Sequence, residues 1–170
     1  MRRTKIVTIP GTRSEKLGER DNGKTYLITE MSAADAEAWA LQAITLIGQA
    51  GVNLPEGILN YGMAGLALLG LDALIKVDYE KAAPLLKKMM DCVKIIPNPE
   101  NPIPRNIKES KEGEGGDIEE VSTRLLLRNE VFELHTGFSA DVMIRAILAS
   151  AEKISLNTDM QTSQQPSEPV

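Results

Sequence analysis

The side chains able to do chemistry are few and scattered. His135 is the only histidine and Cys92 the only cysteine among 170 residues. A Cys–His nucleophile would need the two brought together and a third group to orient the base, and the residues flanking them carry no such pattern. Zinc would need three or four ligands. The sequence accordingly assigns His135 to a helix end, on the surface or in the core, and Cys92, behind Met89-Met90, to a small buried hydrophobe. Asp117-Ile118-Glu119-Glu120 crowds three carboxylates together, but carboxylates at a helix start complement the helix dipole without any metal. Lys87-Lys88 reads as a solvated face. The dinucleotide-binding GxGxxG, HExxH and paired CxxC motifs are absent from the sequence, which removes several of the enzymes that announce themselves by motif. We expect no catalytic residue, no metal site and no cofactor.

Met63, Met89 and Met90 are different in kind. Methionine packs adaptably and is over-used on surfaces that bind many apolar partners. Its ordinary use is core, and a groove for apolar segments of another protein is the alternative. With Leu66 and Leu69 on the neighbouring apolar helix, Met63, Met89 and Met90 form the candidate partner-binding set.

The elements that must position these residues begin with Lys24–Gln42, KTYLITEMSAADAEAWALQ. Thr25–Thr29 is rich in β-branched and aromatic residues and reads as a strand, as does Thr4–Ile9. Asp21-Asn22-Gly23 is a strong turn signal between them, so residues 4–29 read as a hairpin with a long loop. Ser32 then caps a helix, with Asp35 three residues on as a variant capping box and Met31 as the apolar residue just before the cap. Helix one is expected over Ala33–Ala50, with Ala36, Trp39, Ala40, Ala43, Ile47 and Ala50 as its buried stripe and Gly51 as its terminator.

Leu54-Pro55-Glu56 opens a second helix. Ile58–Ile75 is almost wholly apolar or small and carries Gly62, Gly65 and Gly70. A membrane helix needs about 20 apolar residues. This run is shorter, and Asn60 and Asp72 interrupt it, so it reads as a buried or partner-covered helix. Its glycines suggest close approach by another backbone, because each costs up to about 1 kcal/mol in a helix interior. A helix apolar all round must be covered on every side, which leads us to expect a homo-oligomer. Asp78 caps a third helix to Cys92, kinked or delayed by Pro84, and Val93–Ile96 reads as a short strand.

Pro97, Pro99, Pro102 and Pro104 then precede a charged, glycine-containing run. Residues 98–116 are expected to be a mobile linker or long loop. Asp117 is expected to cap a fourth helix with Ile118, Val121, Leu125 and Phe132 on its buried side, and Ser139 a fifth helix to about Ile154. Residues 157–170 read as a disordered tail. The fold class expected is α+β, mostly α: a small N-terminal β hairpin, a helical core over 33–96 and C-terminal helices over 117–155, in one domain ending near residue 156.

Composition agrees with an ordinary globular chain: 42% hydrophobic, 25% charged and 4% aromatic, with a net charge of −5. That balance argues against binding to phosphate backbones, which needs clustered Lys and Arg. One thiol and no apolar leader segment are the pattern of a reducing cytoplasm.

The order of elements carries a resemblance. GKTYLITEMSAADAEAWA after a strand pair, an apolar glycine-rich segment, PLLKKMMDCV with a proline-rich exit, and EEVSTRLLLRNEVFELH together resemble the tail assembly chaperones of long-tailed bacteriophages, over about residues 4–138. The resemblance implies a non-enzymatic protein of the host cytoplasm. Such proteins bind the tape measure protein, keep it soluble and recruit tail tube subunits; they are absent from the finished particle. The alternatives are a structural tail component, such as a tube-end or completion protein kept in the virion, and a small membrane-associated phage protein acting through Ile58–Ile75. Limited proteolysis of the full chain is expected to cut first within 98–116 and beyond about residue 156; early cleavage inside Ala33–Ala50 would overturn the layout.

Overall fold

Strand alternation and helix caps account for most of the elements. The computed structural model describes residues 1–11, 18–111 and 114–137, apart from the side chains of Tyr61, Leu68, Asp72 and Ile75. These residues lie in one compact unit, Met1–Gly137. Strands β1 (Thr4–Thr8) and β2 (Thr25–Thr29) pair antiparallel, with Val7 opposite Tyr26 and Lys5 opposite Ile28. Strand β3 (Val93–Ile96) pairs with the other edge of β2, and β4 (Arg105–Asn106) pairs with β3, giving an antiparallel sheet in the order β1-β2-β3-β4. Because successive side chains alternate faces, Val7, Tyr26, Ile28, Val93 and Ile95 fall on one face and are buried. Thr4, Ile6, Thr8 and Lys94 fall on the other and are exposed.

The architecture is therefore mixed α+β, with a four-stranded sheet and four α-helices among the described residues. The expected hairpin is only half of this sheet. Residues 98–116, expected to lie outside the fold as a linker, supply β4. A two-residue strand beside prolines offers no alternation to read, so its pairing has no local signal. The expected fifth helix from Ser139 and the tail over 157–170 lie outside the described residues.

Helix α1 (Ala33–Gln49) starts where Ser32 predicts: its Oγ accepts the Asp35 N–H at 3.1 Å and donates to the Asp35 carboxylate at 2.6 Å. Trp39, Ala40, Ala43, Ile44 and Ile47 are buried, whereas Ala50 is exposed. The Trp39 indole N–H donates to the Leu85 carbonyl at 3.0 Å, and Lys88 pairs with Asp35. Both contacts fix α1 against α3 (Tyr79–Met90). Asp78 caps α3, its carboxylate accepting the Glu80 N–H at 3.0 Å. Pro84 lies inside α3 and does not delay its start.

Ile58–Ile75 is not one helix. It divides into a 3-10 turn (Ile58–Tyr61), α2 (Gly62–Leu69) and a second 3-10 helix (Leu71–Lys76). No helix starts at Pro55; Gly57, at positive φ, precedes the first turn. Gly62 has φ 49° and ψ −120°, and Gly70 has φ 76° and ψ 158°. Side-chain-bearing residues all but avoid such conformations. An added Cβ at either glycine would meet nothing within 4 Å, so these two glycines turn the chain rather than admit a neighbouring backbone. The breaks let Ile58, Leu66, Ala67 and Leu74 of this run bury themselves within their own chain, while Leu59 stays exposed. Leu66 and Ala67 are buried as α2 packs on α1 and on α4 (Val121–Thr136). Among the described residues, no helix is long and apolar enough to cross a membrane.

The sign of a glycine substitution tests this break. Gly62→Ala and Gly70→Ala should each destabilise the protein by about 1–3 kcal/mol in denaturant unfolding, the cost of a Cβ in these backbone regions. In a continuous helix the same changes would stabilise it by up to about 1 kcal/mol.

Candidate functional site

The chemistry-bearing residues are engaged in structure. His135 is a helix-end residue, partly buried. Its Nδ1 lies 2.7 Å from the Val131 carbonyl, and its Nε2 accepts the Met31 N–H at 2.8 Å. The Nδ1–H tautomer satisfies both bonds, and neither nitrogen is left for Cys92 or a metal. The Cys92 thiol lies 3.7 Å from the Lys88 carbonyl; burial, aided by Asp91, pushes it up to about 11. A thiol so held is a weaker nucleophile at neutral pH than a free one. It borders a polar hollow of about 400 Å³ whose charged members include Glu30, Asp35, Lys88 and Asp91. Two of these acids, Glu30 and Asp35, are paired with Arg3 and Lys88.

The carboxylates of 117–120 are also taken. Asp117 does not cap α4. It accepts two bonds from Arg105, at 2.6 and 2.8 Å, and one from the Lys108 N–H. The Arg105 guanidinium holds its carboxyl below the usual carboxylate range. Arg20 pairs with Glu119 and Glu120. Among the described residues, no group of three or more His, Cys, Asp or Glu is gathered as for a metal ion.

Helix α4 starts at Val121, four residues after the expected cap, with Glu120 in the cap position making no side-chain cap bond. Asp21, 1% exposed, acts in its place. Its carboxylate accepts the backbone N–H groups of Glu119 at 3.0 Å and Glu120 at 2.9 Å, and Lys24 Nζ at 2.7 Å. Burial alone would raise its pKa, but those bonds, with one from Thr123, outweigh it and hold the group below its ordinary value. Lys24 and the Tyr26 hydroxyl both donate to the Asp117 carbonyl.

So placed, α4 buries Thr123, Leu127 and Val131. It also buries Phe132, but not the rest of the face that Phe132 belongs to. Val121, Leu125, Arg128 and Phe132 follow one another at 4, 3 and 4 residues, a single stripe. Val121 is 75% exposed and Leu125 56% exposed, against the expectation that both are buried. The tertiary cause is that Leu125-Leu126-Leu127 offers leucine at three angles around the helix, and the fold buries the Thr123–Leu127–Val131 side in full.

The uncovered end of that stripe borders an apolar groove of about 340 Å³ between the Leu71–Lys76 helix, α3 and α4. Leu74, Val77 and Ala82 are its buried members; Leu86, Tyr79, Leu125 and Arg128 complete the lining with Leu71. Tyr79 is 76% exposed. The volume of the groove lies in the range of binding clefts, about 300–1,000 Å³, and its lining is more apolar than that of the hollow beside Cys92. None of the candidate partner-binding residues lines it. Leu66, Met89 and Met90 are buried core residues, because α3 turns Ala82, Leu85 and Met89 inward at 3–4 spacing; Met63 and Leu69 are partly buried against that core. Leu125 was missed as a groove residue because Val121 and Leu125 have the signature of an ordinary buried stripe. The usable signal was Arg128 at the next position of that stripe, where a fully buried face would hold an apolar residue.

No family model, curated protein or solved structure matches the chain.

Replacing Asp21 with Ala leaves two backbone N–H groups and Lys24 without their acceptor. It should cost on the order of 3 kcal/mol of unfolding free energy. Because the folded pKa is depressed, the contribution is complete above the ordinary Asp value of about 4 and is lost as pH falls through the lower folded value. The stability gap between wild type and Asp21→Asn should therefore be constant from neutral pH down to about 4 and shrink below it. A gap that grew on acidification would contradict the assignment.

Proposed function

We propose that this protein is a non-enzymatic assembly chaperone of a long-tailed bacteriophage. It acts in the host cytoplasm, where it binds the helical tape measure protein, keeps it soluble and recruits tail tube subunits around it. One observation carries the reading: the ordered run of strings over about residues 4–138 that resembles that family. The engaged state of His135, Cys92 and the 117–120 carboxylates supports it, since it leaves their side chains no evident chemical role. The open groove beside Leu125 supports it too, since a client of apolar helices needs a surface to bind.

The surface proposed for the client is the groove rather than Met63, Leu66, Leu69, Met89 and Met90. Leu66 and Ala67 of α2 are buried within the chain, so they do not call for a second copy, and the reading requires none.

Coexpression with the tape measure protein of the encoding phage tests the proposal. The expected outcome is a several-fold gain of that protein in the soluble fraction and a complex that co-purifies. Absence of both would sink the reading, and recovery of the protein in purified virions by mass spectrometry would favour a structural tail component instead.

A further inference from the structure

Among the described residues, four arginines are held in ion pairs. Arg3 holds Glu30, Arg20 holds Glu119 and Glu120, Arg105 holds Asp117, and Arg124 holds Glu109. Arg128 is the contrast. It lines the apolar groove, its Nε is buried, and that atom has no hydrogen-bond partner among the described residues. The surroundings do not favour its charge: burial first, then the neighbouring Arg124, press its pKa downward, with only Tyr79 acting the other way. A guanidinium stays charged in proteins, and among the described residues this one, partly exposed and with its Nε buried, has no counter-charge. The protein has a net charge of −5, so acidic residues were available to pair it.

We propose that the groove binds an apolar helical segment of another protein that carries one acidic side chain, whose carboxylate pairs with Arg128. Three observations converge. The lining is apolar except at Arg128 and the Tyr79 hydroxyl. The stripe Val121, Leu125, Arg128 continues the groove along α4 for about 10 Å at 1.5 Å per residue, the length over which a bound helix presents residues at i, i+3 or i+4 and i+7. The Arg128 fork matches a carboxylate in plane and can give two parallel bonds. The leucines and Tyr79 give contact area; Arg128 gives register and selectivity, because an uncharged apolar helix would leave the guanidinium buried and unpaired. The inference rests on the chaperone reading only for which protein supplies the helix.

The test uses the full chain and labelled amphipathic peptides of about 20 residues, with leucine at i, i+3, i+4 and i+7 and a single glutamate moved along the edge of the stripe. Each peptide has a glutamine twin. Fluorescence anisotropy should find at least one glutamate peptide that binds about tenfold tighter than its twin. Arg128→Gln should abolish that difference, and Arg128→Lys should leave part of it. Arg128→Glu should reverse it toward a lysine peptide, and Leu125→Ser should weaken glutamate and glutamine peptides alike. Circular dichroism and melting of each variant establish that the fold is intact. Equal affinity for every glutamate–glutamine pair, no peptide bound at all, or a preference that survives Arg128→Gln would overturn the proposal. So would a dimer in light scattering that Leu125→Ser dissolves, since the occupant would then be a second copy. A tape measure protein solubilised equally by wild type and Arg128→Gln would also overturn it, while leaving the chaperone reading standing. Glutamate-selective peptide binding without any gain in client solubility would do the reverse.

Discussion

The carboxylate of Asp21 fixes where α4 can lie. The helix has no local cap: Glu120 stands at the cap position and its side chain turns to Arg20 instead. Asp21 supplies the acceptor from a loop 98 residues earlier in the chain. Bonds from N–H groups to a carboxylate contribute about 1.5–3 kcal/mol each, and the negative charge also favours the helix N-terminus. Around it, Lys24 and Tyr26 bind the Asp117 carbonyl, and Arg105 of β4 binds the Asp117 carboxylate. The sheet thus grips the approach to α4 from two strands. His135 does the same at the other end, accepting the Met31 N–H at the β2–α1 junction. Lys5 of β1 pairs with Glu130 and Glu133 between them. These contacts at its start, middle and end orient α4, and part of its remaining face packs on α3.

What could be read from the sequence follows from the range of the interactions. Ser32, Asp35 and Trp39 define the β2–α1 junction with signals that lie within a few residues of one another, and Asp78 does so for α3. Those elements form where their residues place them. The start of α4 was misread because its cap is nonlocal: Asp117 looks like a cap, but Arg105 claims it and Asp21 takes over. Ile58–Ile75 was misread for another reason. Glycine inside an apolar run is compatible with close helix packing or with a positive-φ turn, and composition does not separate the two. At Gly62 and Gly70 the conformation is one that only glycine adopts at low cost, so tertiary folding chose the turn. Cys92 and His135 were legible as structural residues, although the partner of His135 lies 104 residues away.

The groove was illegible for a subtler reason. Periodicity identifies a stripe, not what covers it. Val121, Leu125 and Phe132 do share a face of α4, and Phe132 is buried as that pattern demands. Coverage runs out toward the N-terminal end of the helix, where no element of the described chain lies over Leu125. The one polar member of the stripe, Arg128, stands at the boundary between covered and uncovered.

That arrangement bears on how such a surface would work in the proposed role. An apolar groove alone discriminates poorly among amphipathic helices, since a methylene more or less changes affinity by only about 1–3 kcal/mol. A guanidinium set into it rejects every helix that cannot supply an acceptor, because the unpaired charge must then stay desolvated. The same charge tends to keep the empty groove from closing on itself or on an apolar patch of a second copy. The backing of α4 by Asp21, Lys5 and His135 lowers the ordering cost of binding, since one wall is already fixed before a partner arrives. Thus the ionic contacts on the sheet side of α4 and the missing one on its other side belong to a single design. The first set backs the wall, and in the proposal a partner's carboxylate supplies the second.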